Sequence, residues 1–281
     1  MKNGLVLEGG GMRGLFTAGV LDVLMEKKIL VDSVIGVSAG ALFGCNYKSF
    51  QIGRGLRYNI KYKNDKRYMS VRSLLKTGNY LNPEFAFDEL PKKLDVFDFK
   101  TFEENPVEFH VVCTDIVDGK PVYKRLDKAD EDCFTWLRAS GSMPLMAKPV
   151  NIEGHTLLDG GISDSIPLAY SQKIGNDKNI VVLTQPRGYR KKAFKNVWLF
   201  RLFMRKYPSI EGMMRNRHDM YNDEVRYVTE EEEKGNVLVI APDSSLNIGR
   251  LETNEEKMRR CYEHGREKCL ENIERIVEYL K

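Results

Sequence analysis

The chain reads as an α/β protein with three layers, helices on both sides of a mostly parallel central sheet, followed by a helix-rich C-terminal extension. Three observations predict this. Strand and helix signals alternate through the first half of the 281 residues, as they do where strand-turn-helix units build a parallel sheet. The strand segments are short apolar runs of the kind buried in a sheet covered on both faces. Glycine-rich turns fall where those runs end.

Taken in order, Gly4-Leu5-Val6-Leu7-Glu8 is the first strand, and residues 14–28 place Leu15, Ala18, Leu21 and Leu24/Met25 at helical spacing. Residues 33–37 form a second strand running directly into Ser38. A helix is expected from Ala39 to about Tyr62, with Gly53 and Gly55 weakening its middle. Residues 63–106 are mixed and charged and carry no clear period, although Gly78-Asn79 and Asn82-Pro83 mark turns. Residues 107–115 and 120–125 read as a hairpin about Asp118-Gly119. A helix over 129–139, a short strand over 156–158 entering Asp159-Gly160-Gly161, and a buried strand over 179–184 follow. Beyond them lie charged helices over 192–206, 211–234 and 254–280, interrupted by a strand over 236–241.

Composition narrows the function classes. Forty-four basic against forty acidic residues leave a net charge of +4, far below what a dedicated nucleic-acid binder carries. Five scattered cysteines without a C-x-x-C pair suggest neither a disulfide framework nor a zinc site. They point to a reducing, cytoplasmic setting. Glu8 arrives too early for the apolar core of a signal peptide, and no uncharged apolar run nears the roughly 20 residues of a spanning helix. No metal-ligand motif such as H-E-x-x-H is present, so neither a metal nor another cofactor is expected.

Three motifs carry chemistry. Gly9-x-Gly11-x-x-Gly14 follows the first strand and matches either a dinucleotide-binding turn or a backbone cradle for a transient oxyanion. A dinucleotide site wants an acidic residue at the end of the second strand, yet that strand ends in Gly36-Val37-Ser38 and Asp32 precedes it. Gly36-Val37-Ser38-Ala39-Gly40 is a G-x-S-x-G pattern at a strand-to-helix junction, where a serine is held in a strained turn at a helix N-terminus. The competing reading is an ordinary serine helix cap. Asp159-Gly160-Gly161 is either a plain turn or an acid aimed at a neighbour by two glycines that let backbone approach closely. A histidine base would have to come from His155, His218 or His264, none in a glycine-rich loop after a clear strand; His110 lies in an apolar strand.

In combination these residues resemble the patatin-like phospholipase family, whose G-G-G-x-R/K-G loop, G-x-S-x-G elbow and D-G-G/A turn stand here, in that order, as Gly9 to Gly14, Gly36 to Gly40 and Asp159 to Gly161. A small-residue stretch ending in proline, Ala139-Ser140-Gly141-Ser142-Met143-Pro144, is also family-like. The likeness runs from about Leu5 to about Thr184. It implies a patatin-like catalytic domain over 1–185, with 186–281 as a helical C-terminal region packed on it or apart from it. It implies a Ser38-Asp159 dyad, an oxyanion loop of Gly9, Gly10, Gly11, Met12, Arg13 and Gly14, an elbow framed by Gly36, Ala39 and Gly40, and an acid turn of Gly160 and Gly161. Arg13 would orient the loop or add positive potential, unless it is a surface ion pair. The implied substrates are fatty-acyl esters of phospholipids or lysophospholipids.

Residues 187–207, RGYRKKAFKNVWLFRLFMRKY, interleave basic residues with Phe194, Trp198, Phe200 and Phe203. Such a segment either lies in an anionic membrane interface or packs its aromatic face into the core. A non-catalytic lipid-binding or regulatory protein on the same fold, and a Ser-His-Asp esterase, are the rival readings.

Overall fold

The computed structural model describes residues 1–281. Eight strands form one mixed sheet in the order β5-β6-β3-β2-β1-β7-β8, with β4 also pairing β3. Strands β1 (Asn3–Leu7), β2 (Ser33–Val37), β3 (Glu108–Asp115), β7 (Lys178–Val182) and β8 (Val237–Ile240) run parallel. The hairpin strand β4 (Pro121–Arg125) and the pair β5 (Val150–Ile152) and β6 (His155–Asp159) run antiparallel at one side.

Side chains of a strand alternate between faces, and here each face has its own core. Leu5, Leu7, Val34, Val111, Ile180 and Val182 point into the larger cluster. Val6, Ile35, Val37, Val112 and Val181 point into the other. Both faces are dry, which is why the strands read as unbroken apolar runs. Helices α1 (Gly14–Glu26), α2 (Ala39–Lys48) and α3 (Arg54–Tyr62) join the first cluster, while α7 (Leu168–Lys173) and α9 (Ser209–Glu233) cover the second.

The C-terminal residues complete these layers. Strand β8 extends the sheet beside β7 in parallel register, Val237 opposite Asn179. Helix α10 (Glu255–Glu271) lies on α1 so closely that a Cβ on Gly265 would sit 2.0 Å from the Phe16 carbonyl oxygen. With α2 and α3 also packed against α1, twelve of its thirteen residues are buried. Helix α11 (Ile273–Leu280) ends the chain.

Several elements depart from the expectation. The helix expected over 39–62 is two, because Gly53 takes a left-handed φ of 73° and turns the chain between α2 and α3. The unassigned stretch 63–106 contains α4 (Val71–Thr77), a wide-turned helix at Phe85–Leu94, and α5 (Phe99–Glu104). Pro91 sits inside the wide helix and removes a regular bond donor, which hid its period. The hairpin and the following helix, α6 (Glu131–Ser140), stand close to their expected bounds. Strand β5 and α7 were not anticipated. Of the helix expected over 192–206, only α8 (Trp198–Phe203) is helical, and the one expected over 254–280 is broken at Asn272 between α10 and α11. No helix is long and apolar enough to cross a membrane. All five cysteines are free and buried.

Candidate active site

Strand β2 ends at Val37 and α2 begins at Ala39, so the chain must reverse at one residue. Ser38 does so with φ 53° and ψ −122°, a conformation that strains any residue bearing a Cβ. Close packing enforces it. A Cβ on Gly36 would lie 2.6 Å from Ala41 backbone atoms, and one on Gly40 would lie 2.4 Å from the Leu7 carbonyl oxygen. Only glycine at both positions lets α2 start this near the sheet. The Ser38 amide donates to Ser140 Oγ at 2.8 Å, whose hydroxyl donates in turn to the Val112 carbonyl at 2.7 Å.

The acid reaches Ser38 through an unusual feature of the sheet. Val37 of β2 is registered with Val112 of β3, and Asp159 of β6 with Cys113. Strand β4 occupies the other edge of β3 through the same residues. Strands β2 and β6 therefore approach end to end along a single edge, and their C-terminal ends meet. Ser38 Oγ donates to Asp159 Oδ2 at 2.6 Å across 121 residues of sequence. The other carboxylate oxygen, Oδ1, accepts the Gly161 amide at 2.8 Å, and the Asp159 amide donates to the Ser142 carbonyl at 2.9 Å. Gly160 must lack a side chain because a Cβ would lie 2.2 Å from the Val112 carbonyl oxygen.

Ser38 and Asp159 are both buried, 8% and 7% exposed. Burial pushes the Asp159 carboxyl pKa up; the Ser38 hydrogen bond and the Arg217 charge pull it back only in part. A carboxylate that binds protons more readily than free aspartate is a better base for an alcohol.

The glycine-rich loop faces this pair. A Cβ on Gly9 would lie 2.9 Å from Ser38 Cβ, so the loop's backbone is in contact with the serine. Gly11 has φ 58°. The amides of Met12, Arg13 and Gly14 are committed, to the carbonyls of Arg250, Gly10 and Gly11. Those of Gly9, Gly10 and Gly11 donate to no group of the protein, nor does that of Ala39 at the start of α2. Preceding the loop, buried Glu8 accepts from the Thr184 amide at 2.5 Å and the Tyr221 hydroxyl at 2.8 Å. Arg13 is partly buried with its Nε unpartnered, which does not match the surface ion pair considered for it.

None of the four histidines bonds Ser38 or Asp159. His110 Nδ1 meets the Tyr170 hydroxyl, His155 Nδ1 meets Asp115, and His218 Nδ1 meets the Arg215 carbonyl. His264 tilts against Phe16.

Two cavities open from Ser38. One is a slot of about 100 Å³ walled by apolar side chains including Leu42, Phe43, Tyr58, Leu81, Phe87 and Met146. The other, of about 600 Å³, is lined by the glycine loop, Asp159 and a set of basic side chains from the C-terminal region, among them Lys191, Arg217 and Arg250. In the sequence Lys191 stood out only as one of the basic residues of segment 187–207, and Arg217 and Arg250 were not singled out, because no motif marks them. Ser140 and Ser142 lie in the small-residue stretch without an elbow context and read as structural rather than nucleophilic; Ser140 Oγ accepts the Ser38 amide and the Ser142 carbonyl accepts the Asp159 amide.

A family model described as patatin-like phospholipase matches residues 5–170, and one described as a domain of unknown function (DUF6363) matches residues 207–281. Among similar proteins, the uncharacterized YjjU of Escherichia coli K12 is 27% identical over 276 residues, covering 93% of this chain and 74% of the relative. Lysophospholipase nte1 of Aspergillus oryzae is 28% identical over 186 residues, 62% of this chain but 11% of that protein. An uncharacterized NTE family protein of Mycobacterium bovis is 25% identical over 178 residues, 63% of this chain and 48% of its own length. The solved structure of VipD from Legionella pneumophila aligns with a TM-score of 0.47 at 14% identity, over 96% of this chain and 66% of that one.

Proposed function

The chain belongs to the patatin-like phospholipase family, and from that premise we propose that it hydrolyses fatty-acyl esters of phospholipids or lysophospholipids, with Ser38 as nucleophile and Asp159 as its base. The observation that carries the reading is the 2.6 Å Ser38–Asp159 hydrogen bond on a strained elbow, faced by three uncommitted glycine amides.

Asp159 takes the Ser38 hydroxyl proton as Oγ attacks the ester carbonyl carbon, and the carbonyl π electrons move onto oxygen. The amides of Gly9, Gly10 and Gly11, with Ala39 at the positive end of α2, receive that charge. Collapse expels the alcohol, which regains the proton from Asp159, and leaves an acyl ester on Ser38. Water then attacks the acyl carbon, Asp159 accepts the water proton, and it returns that proton to Ser38 Oγ as the fatty acid leaves. The apolar slot beside Ser38 suits the acyl chain.

Access from a lipid surface has support of its own. Helix α8 leaves Trp198 59% and Phe203 69% exposed, with Leu202 between them and only Phe200 buried. Phe194 and Phe200 line the larger cavity, as do Arg190 and Lys192. Exposed aromatics flanked by cations at a cavity mouth suit peripheral contact with an anionic membrane. Mass-spectrometric product analysis on a mixed lipid extract tests the activity. Free fatty acid and the matching deacylated lipid are expected from the native protein and not from Ser38→Ala; equal release by both proteins would end the reading.

A further inference from the structure

The larger cavity is built asymmetrically. Its charged walls hold six lysines and arginines but only two carboxylates, Glu8 and Asp159. Both carboxylates are already engaged. Glu8 is held by Thr184 and Tyr221, and Asp159 by Ser38 and Gly161.

The cations are left without ion partners. Arg217, on α9, donates through Nε to the Gly161 carbonyl at 2.5 Å, which fixes its side chain against the acid turn. Lys191 is partly buried, its Nζ 3.7 Å from the centre of the Tyr221 ring. Burial, followed by repulsion from Arg217, pushes its pKa down to about 7. Arg13 contributes a buried, unpartnered Nε, and Arg250 adds a further charge where its carbonyl bonds the Met12 amide. Partly buried like charges held together without counter-ions carry a standing electrostatic cost, which an entering anion relieves.

We propose that this cavity is an anion subsite in which Lys191 and Arg217, supplied by the C-terminal region, bind the phosphate of the lipid head group while the ester sits at Ser38. The inference rests on the hydrolase reading above and adds the substrate class: acyl lipids whose phosphate carries no attached cation. A choline or ethanolamine head would bring its ammonium among Lys191, Arg190 and Lys192, which disfavours it. Lysophosphatidic-acid-like phosphomonoesters fit best. Neutral acylglycerols leave the cations unpaired. The subsite also gives the region matched by the domain of unknown function a role, since Arg217 and Arg250 both lie within residues 207–281.

The test compares three substrates with one acyl chain, each below its micelle concentration: a 1-acylglycerol 3-phosphate, the corresponding 1-acylglycerophosphocholine, and the neutral 1-acylglycerol. The native protein is expected to favour the phosphomonoester over the neutral lipid by at least tenfold in kcat/KM, chiefly through KM, and to favour it over the choline lipid as well. Inorganic phosphate should compete with the phosphomonoester. In Lys191→Met and in Arg217→Gln, each checked for a cooperative melt, that preference should fall severalfold. Arg217→Gln keeps a side-chain donor for the Gly161 carbonyl.

Equal kcat/KM for all three lipids without inhibition by phosphate would overturn the subsite while leaving the hydrolase intact. Preference for the phosphomonoester that persists in both variants would place the phosphate elsewhere. Inhibition by inorganic phosphate without any preference among the lipids would mark a site for free phosphate and also overturn the proposal. Failure to hydrolyse any of the three, with no Ser38 adduct from a fluorophosphonate, would instead be failure of the underlying reading.

Discussion

Replacing Gly265 by alanine should loosen the molecule where α10 packs on α1. The new Cβ would lie 2.0 Å from the Phe16 carbonyl oxygen, against 3.4 Å where ordinary contact begins, so α10 and α1 must separate by about 1.4 Å along that line. The clash is with backbone, and no side-chain rotation relieves it. A radial gap of even 0.5–1 Å forfeits about a quarter to a half of each dispersion contact, and overpacking typically costs about 1–3 kcal/mol. Buried Met258, Cys261, Tyr262 and Cys269 all lie along this helix, so the upper end of that range, about 3 kcal/mol, is expected. With an unfolding entropy of about 2.1 cal/mol/K per residue, that lowers Tm by about 5 °C. The control is the same substitution at Gly212 on α9, where a Cβ meets nothing within 4 Å. There alanine should stabilise by up to about 1 kcal/mol through helix propensity. Differential scanning calorimetry on the two variants reads opposite signs if the helix crossing is as tight as described. A Gly265→Ala protein that melts with or above the native one would mean that α1 and α10 do not cross this closely.

Other expectations follow from single contacts. Asp22 on α1 accepts from the Tyr262 hydroxyl at 2.6 Å and the Gly53 amide at 2.9 Å, and burial raises its pKa to about 6. A folded-state pKa raised above the ordinary aspartate value gives stability that is complete below about pH 4 and is lost as pH rises through about 6, by roughly 3 kcal/mol at most. Asp22→Asn keeps both accepted bonds and should flatten that slope in urea titrations at pH 4 to 7; an unchanged slope would assign it to other groups. On the proposed mechanism Asp159 acts only when ionised, so the acid limb of kcat/KM should lie above the ordinary aspartate value of about 3.9. It should move further up in Arg217→Gln, which removes a charge that favours the carboxylate; a limb that stays in place would separate Arg217 from the base. Trp198→Ala combined with Phe203→Ala should cut co-sedimentation with anionic vesicles severalfold, and unchanged binding would remove α8 from the interface.

Much of this site was legible because its motifs constrain backbone rather than side chains. Gly36 and Gly40 announce a turn in which only Ser38 can be presented, and the strand before it was read at its observed bounds. The meeting of Ser38 with Asp159 was not legible from local pattern. It depends on β2 and β6 sharing one edge of β3 end to end, a long-range pairing that no periodicity encodes; only resemblance to a family suggested it. The three-residue β5 is too short for an alternation to register. Segment 192–206 misled because an amphipathic pattern states which residues share a helical face without requiring that the helix form. Here Phe200 alone of its aromatics is buried, so a single turn and a half is held by packing. Lys191 read only as one cation of the 187–207 segment, and Arg217 was not singled out, for a related reason: in a charged stretch, sequence does not say which cation folds inward.

On the proposed mechanism Ser38 is a nucleophile because Asp159 takes its proton. Intact-protein mass spectrometry after brief exposure to a fluorophosphonate measures this most directly, since phosphonylation needs the activated hydroxyl but no lipid binding. One adduct is expected, mapped by peptide sequencing to Ser38, absent in Ser38→Ala and formed at least about a hundredfold more slowly in a folded Asp159→Asn protein. An adduct on another residue would exclude Ser38 as the nucleophile, and native labelling rates in Asp159→Asn would exclude Asp159 as its base.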